Sequence, residues 1–168
     1  MICNVCLGKV LVDGGSGLNI LVTTTFKEIG LCAMDLNPTQ MPFFNIVPGD
    51  PAVPLRQITL SVSFGTIENY HTEYLRFIVA DFDTVYHGIL GRLALAKFMV
   101  VPHYVYMIMK MPTPTGVITV LGNVRTAYDY EKENLHQITA TLELSAHMEE
   151  VLTASKKKAL EKLEIPRS

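Results

Sequence analysis

The sequence predicts an all-β domain with little helix, followed by a partly helical tail. The chain has 168 residues, of which 49% are hydrophobic and 18% charged, and its mean hydropathy is +0.27. A chain of this length and apolar content can bury a substantial core as one domain. Up to residue 122, short apolar runs are separated by turn residues at close intervals, which is typical of barrels and sandwiches.

The predicted strands follow from apolar runs and from hydrophobic patterns of period two bounded by turn residues. In the clearest of them, Ile58, Leu60, Val62 and Phe64 alternate with polar residues and are expected to point inward. In chain order, the predicted strands are 2–7, 9–12, 18–21, 43–47, 55–64, 72–79, 86–90, 100–111 and 116–121.

Two short helical segments are predicted within this domain. Thr23 or Thr24 can N-cap the first, and Gly30 stands where a glycine commonly follows a helix end. The second is predicted at 93–99, directly after the strand at 86–90.

The character of the chain changes at Gly122. Residues 123–168 contain no glycine and hold much of the charge. We therefore divide the chain into a domain at 1–122 and a linker or spacer at 123–168 that contains one amphipathic helix. Ser145 is the expected N-cap of that helix, because acidic residues follow it within the first turns.

Charge, cysteine content and the lengths of the apolar stretches argue against several classes of function. The formal net charge of −2 gives no electrostatic footprint for nucleic acid or for an acidic membrane. Cys3 and Cys6 form a C-x-x-C, but no second pair completes a zinc site. We expect an intracellular, cytoplasmic chain, because the sequence shows no signal peptide and the apolar stretch 98–109 is too short to span a bilayer.

The stretch with the strongest chemical content is the strand that ends at Asp13. It delivers a carboxylate to the tip of a flexible turn, formed by Gly14, Gly15 and Ser16. The same residues also fit an ordinary turn in which the aspartate accepts hydrogen bonds from its own backbone. From these residues alone the ordinary turn is the more frequent interpretation.

Motifs elsewhere in the sequence favour a functional role for Asp13 over the ordinary turn. The apolar pair and glycine Ile89, Leu90 and Gly91 follow Asp13 by about 75 positions, after a proline-rich hairpin. Together these features resemble the retropepsin family, the aspartic proteases of retroviruses and related elements, and in particular the protease segment of plant long-terminal-repeat retrotransposon (gag-pol) polyproteins. The matching stretches are 12–21, 46–49, 64–65, 72–75, 86–92, 110–112 and 116–120, and the resemblance covers about residues 5–122.

The resemblance implies a retropepsin-like acid-protease barrel with a short helix after Ile89-Leu90-Gly91. It also implies specific roles, with no metal and no cofactor. These are Asp13 as the catalytic residue, Gly14, Gly15 and Ser16 as the active-site turn, Ile46, Val47, Pro48 and Gly49 as the substrate-binding flap, and Ile89, Leu90 and Gly91 as scaffold behind the site.

The resemblance further implies a homodimer, because the chain has one Asp-x-Gly and the family's reaction uses two aspartates. Asp13 of two copies would share a water molecule and hydrolyse a polypeptide substrate. The expected function is an aspartic-type endopeptidase that processes a retroelement polyprotein.

A second interpretation stays open, namely a catalytically inactive retropepsin-like remnant that acts as a binding or dimerisation module. Gly14 favours it, because the family usually has threonine or serine directly after the aspartate. Only twelve residues precede Asp13, so the N-terminal strand that often joins the dimer sheet is also expected to be missing.

Overall fold

The structure is a computed structural model that describes residues 1–38, 54–81 and 84–163. The helices are α1 (Thr23–Glu28), α2 (Arg92–Lys97) and α3 (Val124–Leu163), with a 3-10 turn at Ala33–Asp35. The strands are β1 (Val10–Asp13), β2 (Ile20–Val22), β3 (Pro54–Gly65), β4 (Tyr70–Ala80), β5 (Gly88–Gly91), β6 (Val101–His103), β7 (Ile108–Thr113) and β8 (Gly116–Leu121).

The strands form two sheets. The first has the order β1-β5-β2-β4-β3, and the second has the order β6-β7-β8. In the first sheet β5 lies between β1 and β2, parallel to β1 and antiparallel to β2. The structure consists mostly of β-sheet with a few helices, which is compatible with the predicted all-β class.

The predicted barrel is not closed in the described part of the chain. β1 and β3 are the outer strands of the first sheet and do not pair with each other, and β6, β7 and β8 pair among themselves. The result is two open sheets that share one core. The predicted strand at 43–47 lies outside the described residues.

The core lies between the long β3–β4 hairpin and the elements that follow β5. Ile58, Leu60 and Val62 are buried as predicted, opposite a buried face of β4. Phe64 is partly buried and meets the ring of Phe98 edge to face, with centroids 5.0 Å apart. This core fixes β5 and α2, and so supports the turn after β1.

The predicted strand at 2–7 is wrong. Within the described part of the chain, Ile2 makes only isolated bridges, one to Val5 and one to Val62. The cause is local, because Cys3 and Asn4 have φ of 45° and 67° and turn the chain back between Ile2 and Val5.

The start of α1 also differs from the prediction. Val22 is the N-cap residue, and no side-chain hydrogen bond from the described residues caps this end. The hydroxyl of Thr23 instead donates to the carbonyl of Ala80 at 3.0 Å. The predicted glycine beyond the helix end is confirmed, since Gly30 has φ of 83° and its N–H donates to the carbonyl of Lys27.

The predicted strand at 100–111 is two strands rather than one. β6 and β7 are antiparallel neighbours, with His103 opposite Ile108. The chain reverses between them in a turn that Met107 closes, since its N–H donates to the carbonyl of Tyr104 at 3.2 Å and its φ is 50°. This turn brings Tyr104 towards the first sheet.

The tail is one continuous helix from Val124, rather than a linker with a helix capped at Ser145. Asn123 caps it, because its side-chain oxygen accepts the N–H of Thr126 at 3.0 Å. Ser145 lies inside the helix and donates to the carbonyl of Thr141. The division of the chain at 122/123 stays a prediction. No helix in the described ranges combines the length and apolarity that a membrane crossing requires.

Candidate functional site

Asp13 is the last residue of β1, an outer strand of the first sheet. Its side chain is half-buried, and its Oδ1 accepts the N–H of Gly15 at 2.9 Å. The N–H of Ser16 donates to the carbonyl of Asp13 at 3.2 Å. The stretch therefore combines both predicted features: Asp13 accepts a hydrogen bond from the backbone of its own turn, and its carboxylate is partly exposed to solvent.

The predicted active-site turn is anchored at its far end. The carbonyl of Ser16 accepts the N–H of Arg92 at 2.9 Å. The hydroxyl of Ser16 donates to the carbonyl of Leu18 and lies within reach of the Leu18 N–H. Gly14 and Gly15 remain exposed at the tip of the turn. The middle of the turn is thus exposed to solvent, and its end is hydrogen-bonded to the first residue of α2.

The predicted scaffold segment lies directly beside β1. In the parallel pairing Leu11 faces Ile89, Val12 faces Leu90, and Asp13 faces Gly91. Ile89, Leu90 and Gly91 are all buried. The structure thus brings together the two motifs that the sequence separates by about 75 positions.

Gly91 is the point of closest approach in this arrangement. A Cβ atom on Gly91 would lie 2.3 Å from the carbonyl oxygen of Leu18 and 2.8 Å from that of Ser16. Both neighbours are backbone atoms, which cannot swing away as a side chain can. Only glycine allows this part of the turn to pack onto β5.

Asn19 is a structural residue of the site that sequence reasoning missed. Its side chain is buried, accepts the N–H of Gly91 at 2.9 Å and donates to the carbonyl of Arg76 at 3.0 Å. Its own carbonyl accepts the N–H of Ile78. The signal was present, since a buried amide inside an apolar run has to find partners. Asn19 thereby joins β4 and β5 behind the Asp13 turn.

Tyr104 is the second residue that the sequence analysis did not single out. Its hydroxyl accepts the N–H of Gly14 at 3.2 Å. The two residues are 90 positions apart, and no motif links them in the sequence. The contact connects the β6–β7 turn with the residue directly after Asp13.

The predicted flap residues Ile46, Val47, Pro48 and Gly49 lie outside the described residues. In the ranges that are described, no group of three His, Cys, Asp or Glu side chains is arranged to hold a metal ion.

A cavity of about 560 Å³ lies beside β1, a volume within the range of ligand pockets. Val12 lines it and Asp13 does not. Tyr86 also lines it, and burial, with a smaller contribution from the charge of Glu131, raises the pKa of that phenol. The cavity is formed by the N-terminal segment, the β6–β7 turn and the start of α3, and is distinct from the Asp13 turn.

Comparison with protein-family models gives no match, and comparison with curated proteins gives none either. Among solved structures, the chain is similar to the retroviral protease-like domain of Ddi1 from Leishmania major. The similarity covers 74% of this chain and 92% of that one, with 17% sequence identity and a TM-score of 0.48.

Proposed function

We propose that this chain is a retropepsin-type aspartic endopeptidase whose active centre combines Asp13 from two copies. The observation that carries the proposal is the placement of Asp13. Its carboxylate is half exposed at the end of an outer strand, and its turn is fixed from behind by Gly91. That combination presents a carboxylate to a partner while holding its backbone in one position.

The exposed tip of the turn supports the approach of a second copy. Gly14 and Gly15, the two residues after Asp13, are both exposed and have no side chains that would keep a second copy away from the Asp13 carboxylate. Two such tips related by a two-fold axis can bring their carboxylates close together. The need for a second copy comes from the sequence, which has a single Asp-x-Gly.

The chemistry requires no group other than the two carboxylates and water. Two carboxylates in contact cannot both ionise, so the pair holds one proton at acidic pH. The ionised member takes a proton from water, whose oxygen attacks the peptide carbon, while the protonated member donates to the carbonyl oxygen. Collapse of the tetrahedral intermediate then breaks the C–N bond: the carboxyl that took the proton from water gives it to the leaving nitrogen, and the other carboxylate takes a proton back from a hydroxyl of the intermediate.

The substrate we propose is a polypeptide in extended conformation, and in the cell a retroelement polyprotein. The extended form suits recognition by main-chain hydrogen bonds to strands. The polyprotein assignment depends on the resemblance of 12–21 and 86–92 to the protease segment of plant retrotransposons. Residues 46–49 are proposed as the flap over that substrate.

The direct test compares the wild type with Asp13→Asn on an unfolded polypeptide at mildly acidic pH. The wild type is expected to cleave it and Asp13→Asn to lose cleavage, because the amide cannot take a proton from water. Asp81→Asn is the matched control, since Asp81 is an exposed residue beyond the end of β4, and it is expected to cleave like the wild type. Equal cleavage by Asp13→Asn and wild type would refute the proposal.

A mixing experiment tests whether the site is shared. When equal amounts of wild type and Asp13→Asn exchange subunits freely, about half of the wild-type chains pair with an inert copy. Cleavage per wild-type chain is then expected to fall to about half. An unchanged rate per wild-type chain would mean that one copy is sufficient.

The second candidate function is an inactive module that binds or dimerises. Gly14 favours it, because this position offers no hydroxyl of its own to stiffen the site. A chain that forms dimers but cleaves no polypeptide over the acidic to neutral range would establish this alternative.

A further inference from the structure

We propose that Tyr104 is the positioning residue of the Asp13 turn, and that Gly14 is glycine in order to admit the Tyr104 hydroxyl. This inference depends on the proposed function for its catalytic consequence, whereas its structural part can be tested without any activity.

The first observation is the lack of space at Gly14. A Cβ atom there would lie 2.5 Å from the Tyr104 Oη and 3.7 Å from its Cζ. The side chain of Leu95 borders the same space at an ordinary contact distance, with Cδ1 at 3.8 Å. The hydroxyl of Tyr104 therefore occupies the place that the first side-chain atom of any other residue would need.

The second observation is how the backbone amides after Asp13 are used. The N–H of Gly15 donates to the Asp13 carboxylate itself, and the N–H of Gly14 donates to Tyr104. Each amide thus has its own acceptor. The Tyr104 bond fixes the peptide plane between Asp13 and Gly14, and that plane sets the direction in which the carboxylate leaves the strand.

The third observation is that the backbone of the turn that carries Tyr104 is held in place. Its turn is closed by the bond from Met107 to the Tyr104 carbonyl. The rings of His103 and Tyr106 stack with centroids 4.5 Å apart, and His103 Nδ1 accepts the N–H of Tyr106 at 3.2 Å. The Tyr104 side chain therefore starts from a fixed backbone position, from which its hydroxyl reaches the Asp13 turn.

The chemistry of a phenol fits the role. A tyrosine hydroxyl accepts one hydrogen bond and still has its own proton to donate. With the Gly14 N–H accepted, that proton remains available to an oxygen atom at the exposed tip of the turn, such as one from the substrate or from the second copy.

The test uses the full chain with Tyr104→Phe, which keeps the ring and removes only the hydroxyl. Tyr106→Phe is the matched control, because it removes the same atom from the neighbouring ring of the same turn. In amide-resolved NMR spectra, the Gly14 amide proton is expected to move upfield in Tyr104→Phe, since it loses its acceptor, and to stay in place in Tyr106→Phe. An unmoved Gly14 amide in Tyr104→Phe would overturn the inference.

The catalytic part is tested by kinetics on a cleavable polypeptide. Tyr104→Phe is expected to lower kcat about 5-fold, the usual effect of one lost hydrogen bond, with KM unchanged. Gly14→Ala is expected to displace the tyrosine and lower kcat similarly. Adding Tyr104→Phe to Gly14→Ala should then have no further effect.

The possible failures can be told apart. If the wild type cleaves nothing, the proposed function fails, and the Gly14 amide shift alone decides whether Tyr104 holds the turn. If the wild type cleaves and kcat is unchanged in Tyr104→Phe, or if the two substitutions act additively, the positioning role is refuted.

Discussion

Gly91 and Gly8 show how much a single Cβ atom matters in this chain. At Gly91 it would meet two backbone carbonyls, whereas at Gly8 it would meet no atom of the described residues within 4 Å. Gly91→Ala is expected to lower the free energy of unfolding by about 3 kcal/mol, because the turn must move off β5. Gly8→Ala is expected to change it by less than about 0.5 kcal/mol. Urea unfolding of the two variants checks this, and equal midpoints would contradict the tight packing at Gly91.

Site residues with a recognisable local motif could be predicted from the sequence, whereas contacts between residues distant in the chain could not. Asp13 and its glycines were found because a carboxylate before a flexible turn is recognisable locally. Asn19 and Tyr104 were missed because their roles depend on partners 72 and 90 positions away. Asn19 could have been singled out as a polar residue in an apolar run, whereas nothing adjacent to Tyr104 marks it.

Among the elements, the N-terminal boundary of α3 at Asn123 can be tested directly. Asn123→Ala is expected to cost about 1 kcal/mol of helix stability, because the N–H of Thr126 loses its acceptor. Ser145→Ala is the control, since its hydroxyl bonds a carbonyl inside the helix and alanine is the better helix former. Amide hydrogen exchange over 124–127 should quicken in the first variant alone. Faster exchange around 145 in Ser145→Ala would instead support the original prediction of a cap there.

Most elements agree with the sequence patterns, and the exceptions have local causes. β3 and β4 were predicted to within two residues at each end because their alternation is regular. The N-terminal strand failed because Cys3 and Asn4 adopt positive φ, which residue type alone does not require. The reversal at Tyr104–Met107 carries no proline or glycine, so the usual turn signal is missing.

For the whole molecule, the proposal of a shared site predicts that activity depends on concentration. Cleavage per chain is expected to fall on dilution, because dissociated copies each hold half of the catalytic pair. Measuring the rate per chain over a dilution series, together with the sedimentation coefficient, checks this. A constant rate per chain through the change from dimer to monomer would contradict the shared site.

The sheet order could not be predicted from the sequence for a related reason. β5 enters between β1 and β2, although β3 and β4 precede it in the chain. Period-two patterns identify strands but carry no information on which strands become neighbours. The strand pattern left a barrel or a sandwich open and the resemblance implied a barrel, whereas in the described residues the strands form two open sheets.

The position of β5 also has a consequence for the order of events during biosynthesis. Among the strands that the structure describes, β1 pairs with β5 alone, so a nascent chain that has not yet emerged from the ribosome through Gly91 lacks the strand that supports the Asp13 turn. Pairing across so many intervening residues is slow compared with closing a hairpin. The Asp13 turn is therefore fixed late, after the β3–β4 hairpin can already have formed, because it gains its support only when β5 inserts beside β1.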